Sequence, residues 1–124
     1  LHMDEALNQL NLTTPQYSVL AQLELNPGIS NAELARLSFI TAQTMHSIVS
    51  NLEKRGLIQR TNDITHGRIL CTKLTKEGYK IVTQAHDLII NIETLMFKSI
   101  NKKNKILLEE LLIKCFNNLN QSLT

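Results

Sequence analysis

Apolar residues recur every three or four positions along most of this 124-residue chain, a spacing that predicts a mainly helical fold. The clearest helix is predicted at residues 41–55. Its N-cap is Thr41 and its C-terminal stop is Gly56, residue types that commonly begin and end helices. One apolar face follows the pattern i, i+3, i+4, i+7 and consists of Met45, Ile48, Val49 and Leu52.

Three further helices are predicted upstream. Residues 3–10 have the pattern of the last turns of a helix. A second helix begins at Pro15, which suits a first helical position, and ends before Asn26. A short third helix follows Ser30, whose spacing to Glu33 predicts a capping box. Only a few residues separate it from the next helix, as in a helix-turn-helix.

A β-hairpin is predicted after Gly56. Residues 57–61 and 68–74 are strand-like, and residues 62–67 predict the turn between them. A helix-turn-helix followed by a hairpin is typical of a winged helix-turn-helix. The predicted fold class is therefore mainly α with a small β-hairpin.

Two long helices are predicted beyond the hairpin. Thr75 is the N-cap of the first, whose apolar stripe runs to Ile100, and residues 101–105 are a polar break. The last helix, at 106–119, is apolar on more than one face, which predicts a dimerisation region. We expect the end of a truncated N-terminal dimerisation helix at 1–10, a winged helix-turn-helix at 11–78 and C-terminal dimerisation helices at 79–124. The residues expected at the dimer interface are Leu7, Leu10, Leu107, Leu108, Leu111, Leu112, Phe116 and Leu119.

Positive charge is concentrated in the middle of the chain, although the net charge is only +2. Residues 1–35 contain four acidic and no basic residues, whereas residues 36–80 contain eight basic and three acidic residues. A local excess of this kind favours the docking of a polyanion such as nucleic acid.

The polar face of the helix at 41–55 has the chemistry needed to contact DNA bases. Asn and Gln match adenine through two hydrogen bonds, and Ser and Thr bond either partner. An ordinary solvated helix face would instead carry mixed Glu and Lys. The residues predicted to contact DNA from this helix are Thr41, Gln43, Thr44, His46, Ser47, Ser50, Asn51 and Lys54.

Two flanking elements are also predicted to contact DNA. Arg60, His66 and Arg68 of the hairpin are expected at the minor groove, whose negative potential attracts inserted Arg and His. Ser30 and Asn31 begin the third helix, where free backbone amides suit a phosphate. These two residues are therefore expected to bind the DNA backbone.

Other function classes lack their sequence signals. The chain has no Gly-rich phosphate loop, nucleophile elbow or paired carboxylates in an apolar setting, so we predict neither enzyme activity nor a cofactor. The four His have no zinc-ligand spacing with Cys, so no metal site is expected. The chain has no apolar run of membrane-spanning length and no signal peptide, and Cys71 and Cys115 fit a reducing setting. A cytoplasmic, nucleoid-associated protein with no membrane partner is expected.

Three motifs are the most specific part of the sequence: S-N-A-E-L-A at 30–35, V-x-x-L-E-x-x-G-L-I-x-R at 49–60, and L-T-x-x-G at 74–78. With them, residues 10–80 closely resemble the MarR family of bacterial transcriptional regulators. The resemblance implies a homodimer joined through its N- and C-terminal helices, with the helix at 41–55 in the major groove and the hairpin near the minor groove. It implies a sequence-specific regulator, expected to be a repressor, on double-stranded DNA with a palindromic operator.

The chain departs from the family pattern in the hairpin and at its start. The family hairpin usually carries Asp-x-Arg, whereas His66 stands here at the Asp position, which leaves Asp63 as an alternative partner for Arg68. Most of the family's first helix is also absent. Relatives often respond to small aromatic compounds, which implies a small-molecule effector. The residues considered for its pocket are Tyr17, Met45 and His46.

One alternative from another class stays open at this point, a winged-helix module that binds protein. A basic hairpin and a hydrogen-bonding helix face favour DNA, whereas an apolar or acidic face would favour protein. The expected partners are therefore double-stranded DNA and a second copy of the chain.

Overall fold

The computed structural model describes residues 2–62 and 70–122, and the chain divides into two compact units at residues 1–90 and 91–124. The described residues form mostly helix with a small antiparallel sheet, so the predicted fold class is confirmed. The elements in order are α1 (His2–Asn8), α2 (Thr14–Leu25), β1 (Ile29–Ser30), α3 (Asn31–Ser38), α4 (Ala42–Lys54), β2 (Ile58–Asn62), β3 (Leu70–Leu74), α5 (Lys76–Met96) and α6 (Lys102–Ser122).

The start of α2 is fixed by a complete capping box. The Thr13 hydroxyl accepts a hydrogen bond from the Gln16 backbone N–H at 3.2 Å, and Gln16 Oε1 accepts one from the Thr13 N–H at 3.0 Å. Pro15 lies in the first turn, as predicted. A cap of this kind contributes about 1 kcal/mol to helix stability, and it also holds the Gln16 side chain in one place.

The capping box predicted for α3 is only half formed. Ser30 Oγ accepts a hydrogen bond from the Glu33 N–H at 3.2 Å, but the Glu33 carboxylate pairs with Arg36 instead of returning to Ser30. Ser30 also ends strand β1, where it lies opposite Cys71 of β3. The backbone of Ser30 is therefore part of a sheet as well as of a helix start.

The sheet has three strands in the order β1-β3-β2, whereas the sequence predicted a hairpin alone. Gly28, at a φ of +81°, turns the chain into β1, and its N–H donates to the Thr72 carbonyl at 3.1 Å. A two-residue strand is too short to show a period of two, so its sequence carries no signal. Within the predicted hairpin, residues 63–69, and with them Asp63, His66 and Arg68, lie outside the described residues.

The end of α4 and the start of α5 are joined through Gly56 and Leu57. Gly56 adopts a φ of +74°, and the Gly56 and Leu57 N–H groups bond back to the last turn of α4, which forms a Schellman cap. The Leu57 carbonyl accepts the Thr75 N–H at 3.0 Å, and the Thr75 hydroxyl donates to the Gly56 carbonyl at 2.6 Å. Thr75 also caps α5, as predicted, by accepting the Gly78 N–H at 3.1 Å.

Apolar side chains from helices and strands form the core of the unit at 1–90. The predicted apolar face of α4 is confirmed, since three of its four residues are fully buried and Ile48 is half-buried. Leu7 is fully buried in this core and Leu10 is half-buried, although both were expected at a dimer interface. The largest fully buried side chains include Leu7, Leu20, Leu23, Leu34, Met45, Leu52 and Ile58.

The boundaries of the last two helices differ from those predicted. Helix α5 ends at Met96 rather than at Ile100, because the chain turns at Ser99, which has a φ of +69°. Helix α6 begins at Lys102, inside the predicted polar break, because Asn101 Oδ1 accepts the Asn104 N–H at 2.8 Å and caps it. Side chains at 102–119 are exposed in the single chain. None of the helices in the described part of the chain combines the length and apolar character needed to cross a membrane.

Candidate nucleic-acid interface

Helices α3 and α4 form a helix-turn-helix. Helix α3 ends at Ser38, and its C-cap Phe39 adopts a left-handed conformation with a φ of +56° and is 77% exposed. Thr41 begins α4 by accepting the Thr44 N–H on its hydroxyl at 3.2 Å. The turn between the two helices therefore contains only three residues, 39–41, and α4 presents its polar face to solvent immediately after it.

The exposed face of α4 carries mostly uncharged hydrogen-bonding groups. Gln43, Ser47, Ser50 and Lys54 are spaced i, i+4, i+7 and i+11, which aligns them along one side of the helix. All are exposed except Ser50, which is half-buried. Among the residues that the structure describes, the side chains of Gln43, Ser47 and His46 have no hydrogen-bond partner. These groups are available to an outside partner with donors and acceptors of its own.

Several residues predicted to contact DNA already have hydrogen-bond partners within the chain. Thr41 caps α4 and its hydroxyl donates to Thr44 Oγ1 at 3.0 Å. Asn51 accepts a hydrogen bond from Gln16 Nε2 at 3.1 Å. Arg60 is bonded to Glu53, and its side chain is only 17% exposed. Their contribution to an interface with DNA therefore depends on which of their polar atoms these contacts leave without a partner.

The ion pair between Arg60 of β2 and Glu53 of α4 joins the helix to the sheet. Arg60 Nη2 lies 2.7 Å from Glu53 Oε1. The hydrogen bond from Arg60 holds the pKa of the Glu53 carboxyl below its usual value, and the same bond raises the pKa of Arg60. Arg60, which was predicted to contact the minor groove, thus has a structural partner in α4.

We expect Glu53→Gln to reduce the dependence of stability on acid pH. Because the Glu53 pKa is lower in the folded state, its pairing stabilises the fold above its ordinary pKa of about 4.5 and is lost as the pH falls below that value. The pair is partly exposed, so the effect at pH 7 is at most about 1 kcal/mol. Urea unfolding of the wild-type protein and of Glu53→Gln at pH 7 and pH 3.5 measures this effect. If the two proteins differed in free energy of unfolding by the same amount at both pH values, the assigned ion pair would be contradicted.

Arg55, the last residue of the predicted helix, ties α4 to the loop before α2. Its Nη1 donates to the Asn11 carbonyl at 2.9 Å, and its Nη2 donates to the Leu10 carbonyl at 3.4 Å. The sequence predicted Arg55 only as the last residue of a helix. These two carbonyl partners lie more than 40 residues away in the chain, so no local spacing pointed to them.

The predicted phosphate-binding residues lie at the N-terminus of α3. Ser30 and Asn31 are both half-buried, and the Ser30 hydroxyl is occupied by the Glu33 N–H. Their contact with DNA phosphates stays a prediction. The same holds for His66 and Arg68 of the hairpin, which lie outside the described residues.

Tyr17, His86 and Glu24 form a hydrogen-bonded chain between α2 and α5. The Tyr17 hydroxyl lies 2.8 Å from His86 Nδ1, and His86 Nε2 lies 2.9 Å from Glu24 Oε1. Met45 exposes none of its surface, so it does not line an open pocket with Tyr17 and the exposed His46.

Across residues 2–62 and 70–122 there is no group of three His, Cys, Asp or Glu side chains arranged to hold a metal ion.

Comparison with known proteins finds similar sequences and similar folds. The sequence model of the MarR family matches residues 10–69. An HTH-type transcriptional repressor of Mycobacterium tuberculosis strain H37Rv, Rv2887, is 36% identical over 84 residues, which cover 68% of this chain and 60% of the repressor. The transcriptional regulator HosA of Escherichia coli O157:H7 is 35% identical over 75 residues, 60% of this chain and 56% of the regulator. The chain thus spans less than two thirds of the length of these relatives.

Solved structures match a larger part of the chain. The transcriptional repressor CouR, bound to a 23-mer DNA duplex, has a TM-score of 0.83 and 26% identity over 91% of this chain and 80% of its own. The match to the family's sequence model covers the helix-turn-helix and β2, and the fold extends the similarity through the long helices. The chain is thus similar to the MarR family in sequence over residues 10–69 and in fold over most of its length.

Proposed function

We propose that this chain is a homodimeric, sequence-specific DNA-binding regulator of transcription, acting as a repressor in the bacterial cytosol at the nucleoid. The observation that carries the proposal is the exposed face of α4. Its side chains Gln43, His46 and Ser47 are exposed and lack partners among the described residues. The N-terminal part of the second helix in a helix-turn-helix is the part that contacts base edges in the major groove.

The relatives support this assignment. Rv2887 is named as a transcriptional repressor and HosA as a transcriptional regulator, and CouR is described as a repressor bound to a DNA duplex. One structural neighbour, PcaV of Streptomyces coelicolor, is described in complex with its natural ligand. The proposal accordingly includes a small-molecule effector, whose chemistry this sequence does not specify.

A second copy of the chain is part of the proposal because α6 is too apolar for a solvent-exposed helix. Large apolar side chains on several of its faces are 42–67% exposed in the single chain. A surface of this kind marks an interface between proteins. In a two-fold symmetric dimer, two copies of α4 about 34 Å apart would meet successive major grooves of a palindromic operator. The exposed residues are Ile106, Leu107, Leu108, Leu111, Leu112, Ile113, Phe116 and Leu119.

The DNA upstream of the chain's own coding sequence is the first duplex to test. We expect a gel shift whose affinity exceeds that for an unrelated duplex of equal length and falls steeply as salt rises, because phosphate contacts release counterions. Binding to neither duplex at low salt would contradict the proposed function and favour the protein-binding alternative.

Gln43→Ala is expected to lower affinity for the specific duplex by roughly tenfold to a hundredfold, the range for loss of a bidentate base contact. Affinity for the unrelated duplex should not change, because Gln43 is uncharged and exposed. Fluorescence anisotropy measures the affinity for each duplex, and hence the ratio of the two affinities. Gln84→Ala, at an exposed position of α5, is the matched control. An equal loss on both duplexes would show that Gln43 does not contact bases.

A further inference from the structure

Gln16 lies on α2, outside the helix predicted to contact DNA, yet its side chain connects three parts of the fold. Its Oε1 accepts the Thr13 N–H at 3.0 Å and lies 3.5 Å from Arg55 Nη1. Its Nε2 donates to Asn51 Oδ1 at 3.1 Å. The amide of Gln16 thus bridges the start of α2 to the last turns of α4.

These contacts determine which way both amides face. The Thr13 N–H and the Arg55 guanidinium are donors only, so the Gln16 atom that faces them must be the oxygen. The Gln16 atom that faces Asn51 is then the nitrogen, a donor, and it requires the oxygen of Asn51 as its acceptor. The Asn51 amide is therefore oriented with Oδ1 toward α2, and its Nδ2, with two N–H donors, is left for an outside partner.

We propose that Gln16 is a positioning residue that makes Asn51 a donor to a DNA phosphate oxygen rather than a residue that recognises adenine. This inference rests on the proposed DNA-binding function and deepens it. Adenine recognition uses the oxygen and nitrogen of an Asn amide together on one base edge, whereas Asn51 has its oxygen engaged with Gln16.

The position of Asn51 along α4 favours a phosphate over a base. Asn51 is the tenth residue of the helix, about 13 Å from its start at a rise of 1.5 Å per residue. Base contacts come mainly from the N-terminal residues of such a helix, and phosphate oxygens accept hydrogen bonds without donating any. The guanidinium of Arg55, which bonds to Gln16, adds positive charge beside the same atoms.

Gln16→Glu tests the proposal with little change in shape. Glu is the usual partner in a capping box, so it keeps the Thr13 contact and gains an attraction to Arg55. A carboxylate cannot donate to Asn51, so the Asn51 amide must turn over and present its oxygen outward. We expect a roughly tenfold loss of affinity on both the upstream duplex and an unrelated duplex, since a phosphate contact carries no sequence information.

A double-mutant cycle separates this effect from the added negative charge. In an Asn51→Ala background, Gln16→Glu retains only its charge effect and should change affinity by less than about threefold. An equal loss in both backgrounds would overturn the proposal. A loss confined to the specific duplex when Asn51 alone is replaced by Ala would also overturn it, because it would show that Asn51 contacts a base.

A measurement without DNA distinguishes failure of this inference from failure of the proposed function. By NMR, the Asn51 Nδ2 protons should exchange quickly with water in the wild-type protein and more slowly in Gln16→Glu, where they bond to the carboxylate. Slow exchange in the wild type would overturn the orientation even if the protein binds DNA. Fast exchange with no DNA binding would uphold the orientation and overturn its assigned role at a phosphate.

Discussion

Gly78→Ala is expected to destabilise the protein by about 3 kcal/mol, although alanine normally favours a helix over glycine by about 1 kcal/mol. A Cβ at this position would lie 2.0 Å from the Leu57 carbonyl oxygen and 3.3 Å from Leu74 Cδ2. The Leu57 carbonyl cannot move aside freely, because it accepts the Thr75 N–H at 3.0 Å. The added methyl group would therefore push α5 away from the start of β2.

Urea unfolding at one fixed protein concentration measures this effect, since the stability of the proposed dimer depends on concentration. Gln84→Ala, at an exposed position of the same helix, should change the free energy of unfolding by less than about 0.5 kcal/mol. Wild-type stability of Gly78→Ala would mean that α5 does not begin in contact with the Leu57 carbonyl. These contacts also explain L-T-x-x-G as a structural motif. Its Thr caps α5, and its Gly allows α5 to lie close to the Leu57 carbonyl.

The double substitution Leu107→Glu with Leu111→Glu is expected to give a monomer and to lower operator affinity by more than about a hundredfold. Both side chains are about half exposed in the single chain and lie one helical turn apart on α6. Two buried carboxylates would lose their hydration in a symmetric interface without gaining a partner. A monomer would then bind one half-site and lose the advantage of linked binding, which is roughly a hundredfold to ten-thousandfold.

Sedimentation at micromolar concentration and anisotropy with the upstream duplex measure the two effects. Asn117→Glu, which adds one carboxylate to an exposed polar position of α6, is the control and should remain dimeric. Circular dichroism should show that the variant keeps its helices, which separates dissociation from unfolding. A double variant that remains dimeric would place the interface elsewhere.

Local sequence signals predicted most of the helices and the two strands of the hairpin. The caps at Thr41 and Thr75, and the glycine stop at Gly56, were predicted because each involves groups within five residues of one another. The apolar face of α4 was found because burial on one side of a helix imposes a period of 3.6. The candidate face for DNA followed directly, as the polar residues left over on that helix.

The errors in the prediction occurred where the controlling contact was not local or not periodic. Strand β1 has two residues and exists because Gly28 and Ser30 lie beside β3, more than 40 residues later in the chain. Leu7 was expected at an interface from its apolar pattern, which does not specify what the side chain packs against. In the folded chain Leu7 is enclosed in the core.

Residue types and spacing thus determined the helices, their caps and the chemical character of the α4 face, because these depend on backbone geometry within a turn or two. The tertiary structure decided which polar groups of α4 and of the neighbouring β2 remain available to an outside partner. Arg60 is paired with Glu53, Arg55 with the carbonyls of the loop before α2, and Asn51 with Gln16. The last two contacts join residues 35 to 45 positions apart, and no repeating pattern records such a distance. Only the closure of the chain brings their donors and acceptors within hydrogen-bond length.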